Sequence, residues 1–245
     1  MNPQIAVATA ARVAQQLRRD HRTLALILLV PSALLALFKY VFDAQPETFE
    51  RIGAPLVGLF PFIIMFLVSS IAMLRERTGG TLERLMSLPL AKLDLLVGYG
   101  LAFAAVAALQ ATLTSAVGFW LLGLDTAGPI WAMALIAVAN AVLGMALGLF
   151  LSAFATSEFQ AVQFMPAVVF PQILLSGLLV PRETMPSVLE GISWFLPLTY
   201  AYDALDAVAN QGSGLGGVAD EVAVLAGLIA AAIALGALTL RRRTA

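Results

Sequence analysis

The sequence predicts an all-α polytopic membrane protein with six transmembrane helices, and three observations predict it. Over 245 residues, 60% are hydrophobic, 12% are charged and the mean hydropathy is +0.92, whereas a soluble domain carries roughly 25% charged residues. Apolar runs near the ~20 residues needed to cross the hydrocarbon core recur at 24–42, 55–74, 95–122, 130–154, 161–180 and 222–240. The basic residues cluster between alternate pairs of these runs. The runs are expected to form one transmembrane domain over 24–245, preceded by a separate element at 1–23.

That first element starts at Pro3. Ile5, Val13 and Leu17 recur near the helical period, while Arg12, Arg18, Arg19 and Arg22 supply positive charge. Such a helix lies in the membrane interface with its apolar edge in lipid and its arginines at headgroups. A solvated basic tail is the alternative; proline only at the start and alanines in the gaps favour the helix. His21, the single histidine, has no nearby partners for metal or acid–base work, and is read as a headgroup-level residue. With no cysteine there is neither a disulfide nor a thiol site.

The first apolar run contains Pro31 and ends near Lys39, whose long stem can snorkel to the interface. No small-residue cleavage site follows, so it reads as a retained span and not as a signal peptide. Orientation follows from counting Lys and Arg in the connections. Arg12, Arg18, Arg19, Arg22, Arg75, Arg77, Arg84, Lys92, Arg241, Arg242 and Arg243 fall on one side, and only Lys39, Arg51 and Arg182 on the other. An even number of spans between clusters is required, and six satisfies it. Both termini and the 75–94 loop are therefore expected in the cytoplasm, and 181–221 outside.

In the 75–94 loop, Gly79-Gly80 breaks the second span and Thr81-Leu82-Glu83-Arg84-Leu85 restarts a short helix that Pro89 ends. Leu82, Leu85, Met86 and Leu88 form its apolar side. A helix of this kind suits a groove on a cytoplasmic partner; lying on the membrane surface is the other reading, and periodicity does not separate them. Outside, Pro181, Pro186 and Pro197 cut the chain into pieces too short to span, and Trp194, Tyr200 and Tyr202 suit the aromatic belt.

The run Arg75-Glu76-Arg77-Thr78-Gly79-Gly80-Thr81-Leu82-Glu83-Arg84-Leu85, followed by Leu88-Pro89-Leu90, resembles the E-R-x-x-G-T-L-E-x-L…P segment of type-2 ATP-binding-cassette (ABC) permeases. That family includes multidrug and daunorubicin-type exporters. A second segment matches in register: Leu174-Leu175-Ser176-Gly177 with Pro181, Met185-Pro186, Pro197-Leu198-Thr199-Tyr200 and Asp203-Ala204-Leu205 are similar to its L-S-G-x-x-x-P…M-P…x-P-L-T-Y…D-x-L pattern. The resemblance implies a coupling helix at about 80–90 that docks on an ATPase subunit through Arg75, Glu76, Arg77, Thr81, Glu83, Arg84, Leu85 and Leu88. It implies short re-entrant helices at about 181–212, with Leu175, Leu178 and Pro181 at an external gate. It also implies a transport cleft between two permease subunits, lined by the second and fifth spans, with Phe60, Phe66, Gln163, Phe164, Phe170 and Gln172 as candidates.

Other intramembrane polar residues are Gln110, Asn140, Thr112, Thr114 and Ser115. Such groups face helices or cavities, and interhelical hydrogen bonding explains most of them. Gly144 and Gly148 form a G-x-x-x-G pair that reads as close helix packing.

No G-x-x-x-x-G-K-[ST] phosphate loop is present; Gly212-Ser213-Gly214-Leu215-Gly216-Gly217 lacks the lysine. The chain is thus expected to be no enzyme and to bind no cofactor, with ATP and Mg held by two copies of a separate ABC ATPase. A second permease copy, as a homodimer in preference to a heterodimer, and the lipid of a bacterial plasma membrane complete the expected partners; nucleic acid is not among them. The expected cargo is a hydrophobic or amphipathic solute, drug-like or lipid-like, moved outward. Polysaccharide, glycolipid or sodium export uses the same scaffold and is the alternative. An intramembrane enzyme would draw on Asp203, Asp206, Asp220 and Glu221, whose spacing fits no ligand set, and a secondary carrier would need ionisable residues in mid-span, which are missing.

Overall fold

A computed structural model of the chain describes residues 2–86 and 91–239. All regular structure among them is helical. Helix α1 (Pro3–Arg19) starts with proline at its first position, where no N–H is needed, and the Asn2 side chain accepts from the Gln4 N–H at 3.1 Å. It buries Ala6, Thr9 and Val13, spaced three and four residues apart, against α5 (Lys92–Ala116). Gly98 permits the approach: a Cβ there would fall 2.5 Å from the Cβ of Thr9. The chain turns at Asp20, whose carboxylate takes the Thr23 N–H at 3.1 Å and its hydroxyl at 2.6 Å, and this caps α2 (His21–Val41).

The longest element is α3 (Pro46–Thr78), 33 residues or about 50 Å at 1.5 Å per residue. The expected span 55–74 is its middle, and both ends project beyond a ~30 Å hydrocarbon core. Its principal partner is α6 (Ile130–Leu151). Gly144 and Gly148 face α3 so closely that a Cβ at either would lie 2.3 Å from the carbonyl oxygens of Phe62 and Phe66 respectively. The G-x-x-x-G pair is therefore a backbone-to-backbone contact, as the sequence led us to expect. Around this seam Phe62, Met65, Phe66, Tyr99, Phe103, Met133 and Ile136 are fully buried.

A short α4 (Thr81–Met86) follows Gly80, whose φ of +71° suits glycine. Helix α5 ends in a five-residue π-helical turn, Val117–Leu121. Helix α7 (Glu158–Leu175) is capped by the Ser157 hydroxyl and stops five residues short of the expected 180. Gly177, at φ +101°, then reverses the chain beneath Tyr202, whose ring would sit 2.9 Å from a Cβ there. Two short helices, α8 (Ser187–Ser193) and α9 (Pro197–Gln211), lead to α10 (Ala219–Thr239).

Among the described residues, five segments are long and apolar enough to cross a membrane: α2, α3, Lys92–Leu121, Ile130–Phe154 and Leu215–Thr239. The chain is thus a polytopic all-α membrane protein. The expected fifth span is not among the five, because α7 has only 18 residues and four of them are Glu158, Gln160, Gln163 and Gln172. One end of the bundle gathers α1, the C-terminus of α3, and the N-termini of α5 and α7. The last turns of α10 reach the same end, where Gly236 packs near Leu96 and Phe150.

Candidate coupling surface and transport pathway

Successive residues of a helix point about 100° apart, and at the end of α3 three consecutive charged residues use this to reach three directions. Arg75 makes a bidentate pair with Glu158 at the start of α7, at 2.8 and 3.0 Å. Glu76 turns inward, its Oε1 3.6 Å from Arg12 of α1. Arg12 also donates to the Tyr99 hydroxyl of α5, and its guanidinium lies 5.4 Å from that ring's centroid. Arg77 donates to the carbonyl of Ser152, just past the end of α6, where a helix's last carbonyls lack partners and favour a cation. The Arg75-Glu76-Arg77 triplet thus binds the end of α3 to α1, α5, α6 and α7.

Past this knot, Thr81 opens α4, Arg84 is exposed and Leu85 is half-buried against the core. Leu88 and the last residues of the expected 80–90 helix lie outside the described residues, as does the side chain of Glu83. So do Arg241, Arg242 and Arg243. Glu158 and Tyr99 were not singled out from sequence. Glu158 carried a readable signal, since it is the only charged residue between Asp125 and Arg182; Tyr99 carried none.

The six residues assigned to the pathway separate. Gln163 and Phe170 are exposed on α7, Phe60 is half-buried, and Phe164 packs half-buried beside Leu74, Ala155 and Ala161. Phe66 is fully buried at the α3–α6 seam, and Gln172 is 3% exposed. Gln172 is a clamp: its Nε2 donates to the Val168 carbonyl at 3.0 Å and its Oε1 accepts the Leu198 N–H at 3.2 Å, joining α7 to the first turn of α9. Within one chain neither Phe66 nor Gln172 offers a surface.

At the end opposite the knot, Leu175 is half-buried, Pro181 is exposed and Leu178 is buried over a small void beside Asn140, Leu198 and Leu205. Arg182 donates to both carboxylate oxygens of Asp203 at 2.7 Å, and its guanidinium stacks 4.6 Å from the Trp194 ring. Burial pushes the Asp203 carboxyl up to about 6, against the opposing pull of Arg182. Thr199 donates to the Ser193 carbonyl at 2.7 Å and Tyr200 to that of Trp194 at 2.8 Å, which folds α8 and α9 into one unit. Helix α9 packs on α3, α6 and α10 through Leu198, Ala201, Leu205 and Val208.

A family model described as ABC-2 type transporter matches residues 3–209. The "Probable multidrug ABC transporter permease YbhR" of Escherichia coli strain K12 is 29% identical over 163 residues, covering 65% of this chain and 44% of that protein. "ABC transporter G family member 20" of Dictyostelium discoideum is 28% identical over 160 residues, 65% of this chain and 22% of that one. The E. coli "Inner membrane transport permease YhhJ" is 26% identical over 156 residues, 62% and 41% of the two chains. In each case the aligned segment spans less than half the length of the curated relative.

Proposed function

The chain belongs to the ABC-2 type transporter family, and on that premise we propose that it is the membrane-spanning permease subunit of an ATP-driven exporter. Two copies pair, as a homodimer, over two copies of a separate ATPase that holds ATP and Mg. The end of the bundle that carries Arg12, Arg18, Arg19, Arg22, Arg75, Arg77, Arg84 and Lys92 faces the cytoplasm, with both chain ends on that side. Helix α7 completes six crossings, and α8 and α9 re-enter the outer leaflet as a cap. The cargo is a hydrophobic or amphipathic solute, in keeping with the exposed apolar side chains of α7 and the multidrug names of two E. coli relatives.

The single observation that carries this reading is the knot at the end of α3. A push on α4 reaches α3 directly, and through the three charged residues it reaches α1, α5, α6 and α7 together. Approach of the ATPases then moves the cytoplasmic ends as one body and closes the inner mouth of the cleft between two copies. Arg84 and Glu83 make the polar contacts on the ATPase, with Leu85 and Leu88 as apolar knobs.

The test is co-purification with an ABC ATPase subunit from the same organism, followed by transport-coupled ATP hydrolysis in Arg84→Ala and Glu83→Ala variants. Loss of stimulated hydrolysis with assembly of the permease intact is expected. Full coupling in both variants would remove α4 from the role assigned to it.

A further inference from the structure

The four arginines at the start of the chain separate by what they meet. Arg12 enters the knot, beside Glu76 and the Tyr99 hydroxyl. Arg18 and Arg19, in the last turn of α1, are exposed, and their guanidinium groups meet no carboxylate among the described residues. Nor do the carbonyls at the end of α1 occupy them, since the Asp20 N–H takes those of Gln16 and Leu17. Gln15, Arg18 and Arg19 stand at i, i+3 and i+4 and so share one face of the helix. The turn at Asp20 sets His21 beside them, and these four residues line an open pocket of about 330 Å³. Asp20 itself does not line it: its carboxylate accepts from the Thr23 N–H and hydroxyl, and it borders a separate cleft with Arg75 and Glu76. Two unmatched guanidinium groups with an amide and an imidazole form a ring of donors suited to a phosphate, whose oxygens match the planar guanidinium fork.

We propose that this corner binds the phosphate of an anionic phospholipid at the membrane surface, with Arg18 and Arg19 on its oxygens and Gln15 and His21 as further donors. A soluble phosphate would share that chemistry; the helix that leads away from the pocket favours the lipid. His21, Ala25 and Leu29 follow at four-residue steps along one exposed face of α2, so a headgroup held at His21 has an apolar surface beside it for its acyl chains. Anionic lipid draws any basic segment toward the membrane, and that field acts on Arg18, Arg19 and Arg22 alike. A discrete pocket does not, because Arg22 lies outside its lining. The site needs only that this end of the bundle lies at a bilayer surface, and it stands apart from the transport reading.

The experiment is native mass spectrometry of the full chain in detergent, titrated separately with phosphatidylglycerol and phosphatidylcholine of identical acyl chains, reading the first binding event. Phosphatidylcholine carries the same phosphate, but its cationic head meets the arginines as like charge. A preference for phosphatidylglycerol of about fivefold or more is expected, the scale of one net hydrogen bond. Arg18→Gln with Arg19→Gln should abolish the preference, and Gln15→Glu, which sets a carboxylate in the pocket, should do the same. Arg22→Gln removes an equal charge per residue from outside the pocket and should leave the preference in place. Thermal melting of each variant confirms the fold. Equal binding of the two lipids, or a preference that survives both pocket variants, overturns the proposal. So does an Arg22→Gln loss as large as that of Arg18→Gln or Arg19→Gln alone, which would show a diffuse field in place of a site. Glycerol 3-phosphate displacing phosphatidylglycerol at equal concentration would overturn the lipid assignment in favour of a soluble phosphate. No ATPase is present in these measurements, so their failure leaves the coupling test untouched.

Discussion

Gln110 of α5 donates a hydrogen bond of 2.8 Å to the carbonyl of Ile27 in α2, the carbonyl that Pro31 leaves without its helical partner. Proline four residues on has no N–H to offer, and in lipid an unpaired carbonyl has no water to turn to. A side-chain amide from the neighbouring helix takes the place of the missing donor. Asn210 stands in the same relation to the Arg51 carbonyl, 3.4 Å away, freed by Pro55 of α3. At these two positions a side-chain amide from another helix repairs the backbone rather than lining a path.

The first prediction concerns this repair. Gln110→Leu should destabilise the detergent-solubilised protein by about 1 kcal/mol, the usual scale of an interhelical hydrogen bond in a membrane protein. In a Pro31→Ala background the Ile27 carbonyl regains an N–H, and the same substitution should cost distinctly less. A double-mutant cycle measured by reversible unfolding checks this. Equal costs in both backgrounds would detach the amide from the proline.

Glycine substitutions test the α3–α6 seam by their sign. In a helix interior Gly→Ala gains about 1 kcal/mol from propensity alone. At Gly227 of α10 a new Cβ meets nothing within 4 Å, so Gly227→Ala should raise the melting temperature or leave it unchanged. At Gly148 the new carbon would lie 2.2 Å from the Ser69 hydroxyl and 2.3 Å from the Phe66 carbonyl oxygen. Backbone cannot yield as a flexible side chain does, so Gly148→Ala should lower stability by roughly 2 kcal/mol or more despite the propensity gain. Thermal denaturation of the two variants side by side gives the comparison.

These two features also mark what was legible in the sequence. The G-x-x-x-G spacing showed a close helix approach, and hydropathy with basic clusters showed the long helices and their pairing into ends. The partner of a polar residue was not legible, because Gln110 and Ile27 are 83 positions apart and only the fold joins them. For the same reason Phe66 and Gln172 could be assigned to a pathway from the sequence although each is buried inside one chain. By hydropathy the fifth apolar run continues to 180. The helix instead ends at Leu175, where Gly177 at positive φ turns the chain. Hydropathy counts side chains and does not see a backbone reversal.

The Arg75–Glu158 pair separates mechanical from thermodynamic roles. Both side chains are more than half exposed, and exposed ion pairs contribute about 0–1 kcal/mol. Glu158→Gln should therefore leave the melting temperature nearly unchanged. If the pair carries motion from α3 to α7, the same substitution should reduce transport coupled to ATP hydrolysis several-fold, and Arg75→Glu with Glu158→Arg should recover part of it. Wild-type transport in Glu158→Gln would confine the pair to decoration of the surface.

The last prediction follows from Asp203, which lies outside the membrane-crossing helices and has its carboxyl raised to about 6 from an ordinary 3.8. Burial is the larger cause, and it outweighs the bidentate attraction of Arg182. A raised folded pKa means that between about 4 and 6 the folded chain binds more protons at this site than the unfolded chain. The contribution of Asp203 to stability is therefore fully present at low pH and falls as pH rises through 6. Relative to Asp203→Asn, whose amide does not titrate, the wild-type melting temperature should decline across pH 4.5 to 7. Arg182→Leu removes the favourable partner of the carboxylate, so it should push the transition to higher pH and deepen the loss at pH 7. A difference curve between wild type and Asp203→Asn that is flat in pH would show that Arg182 holds the carboxylate ionised throughout, and that burial is the weaker force.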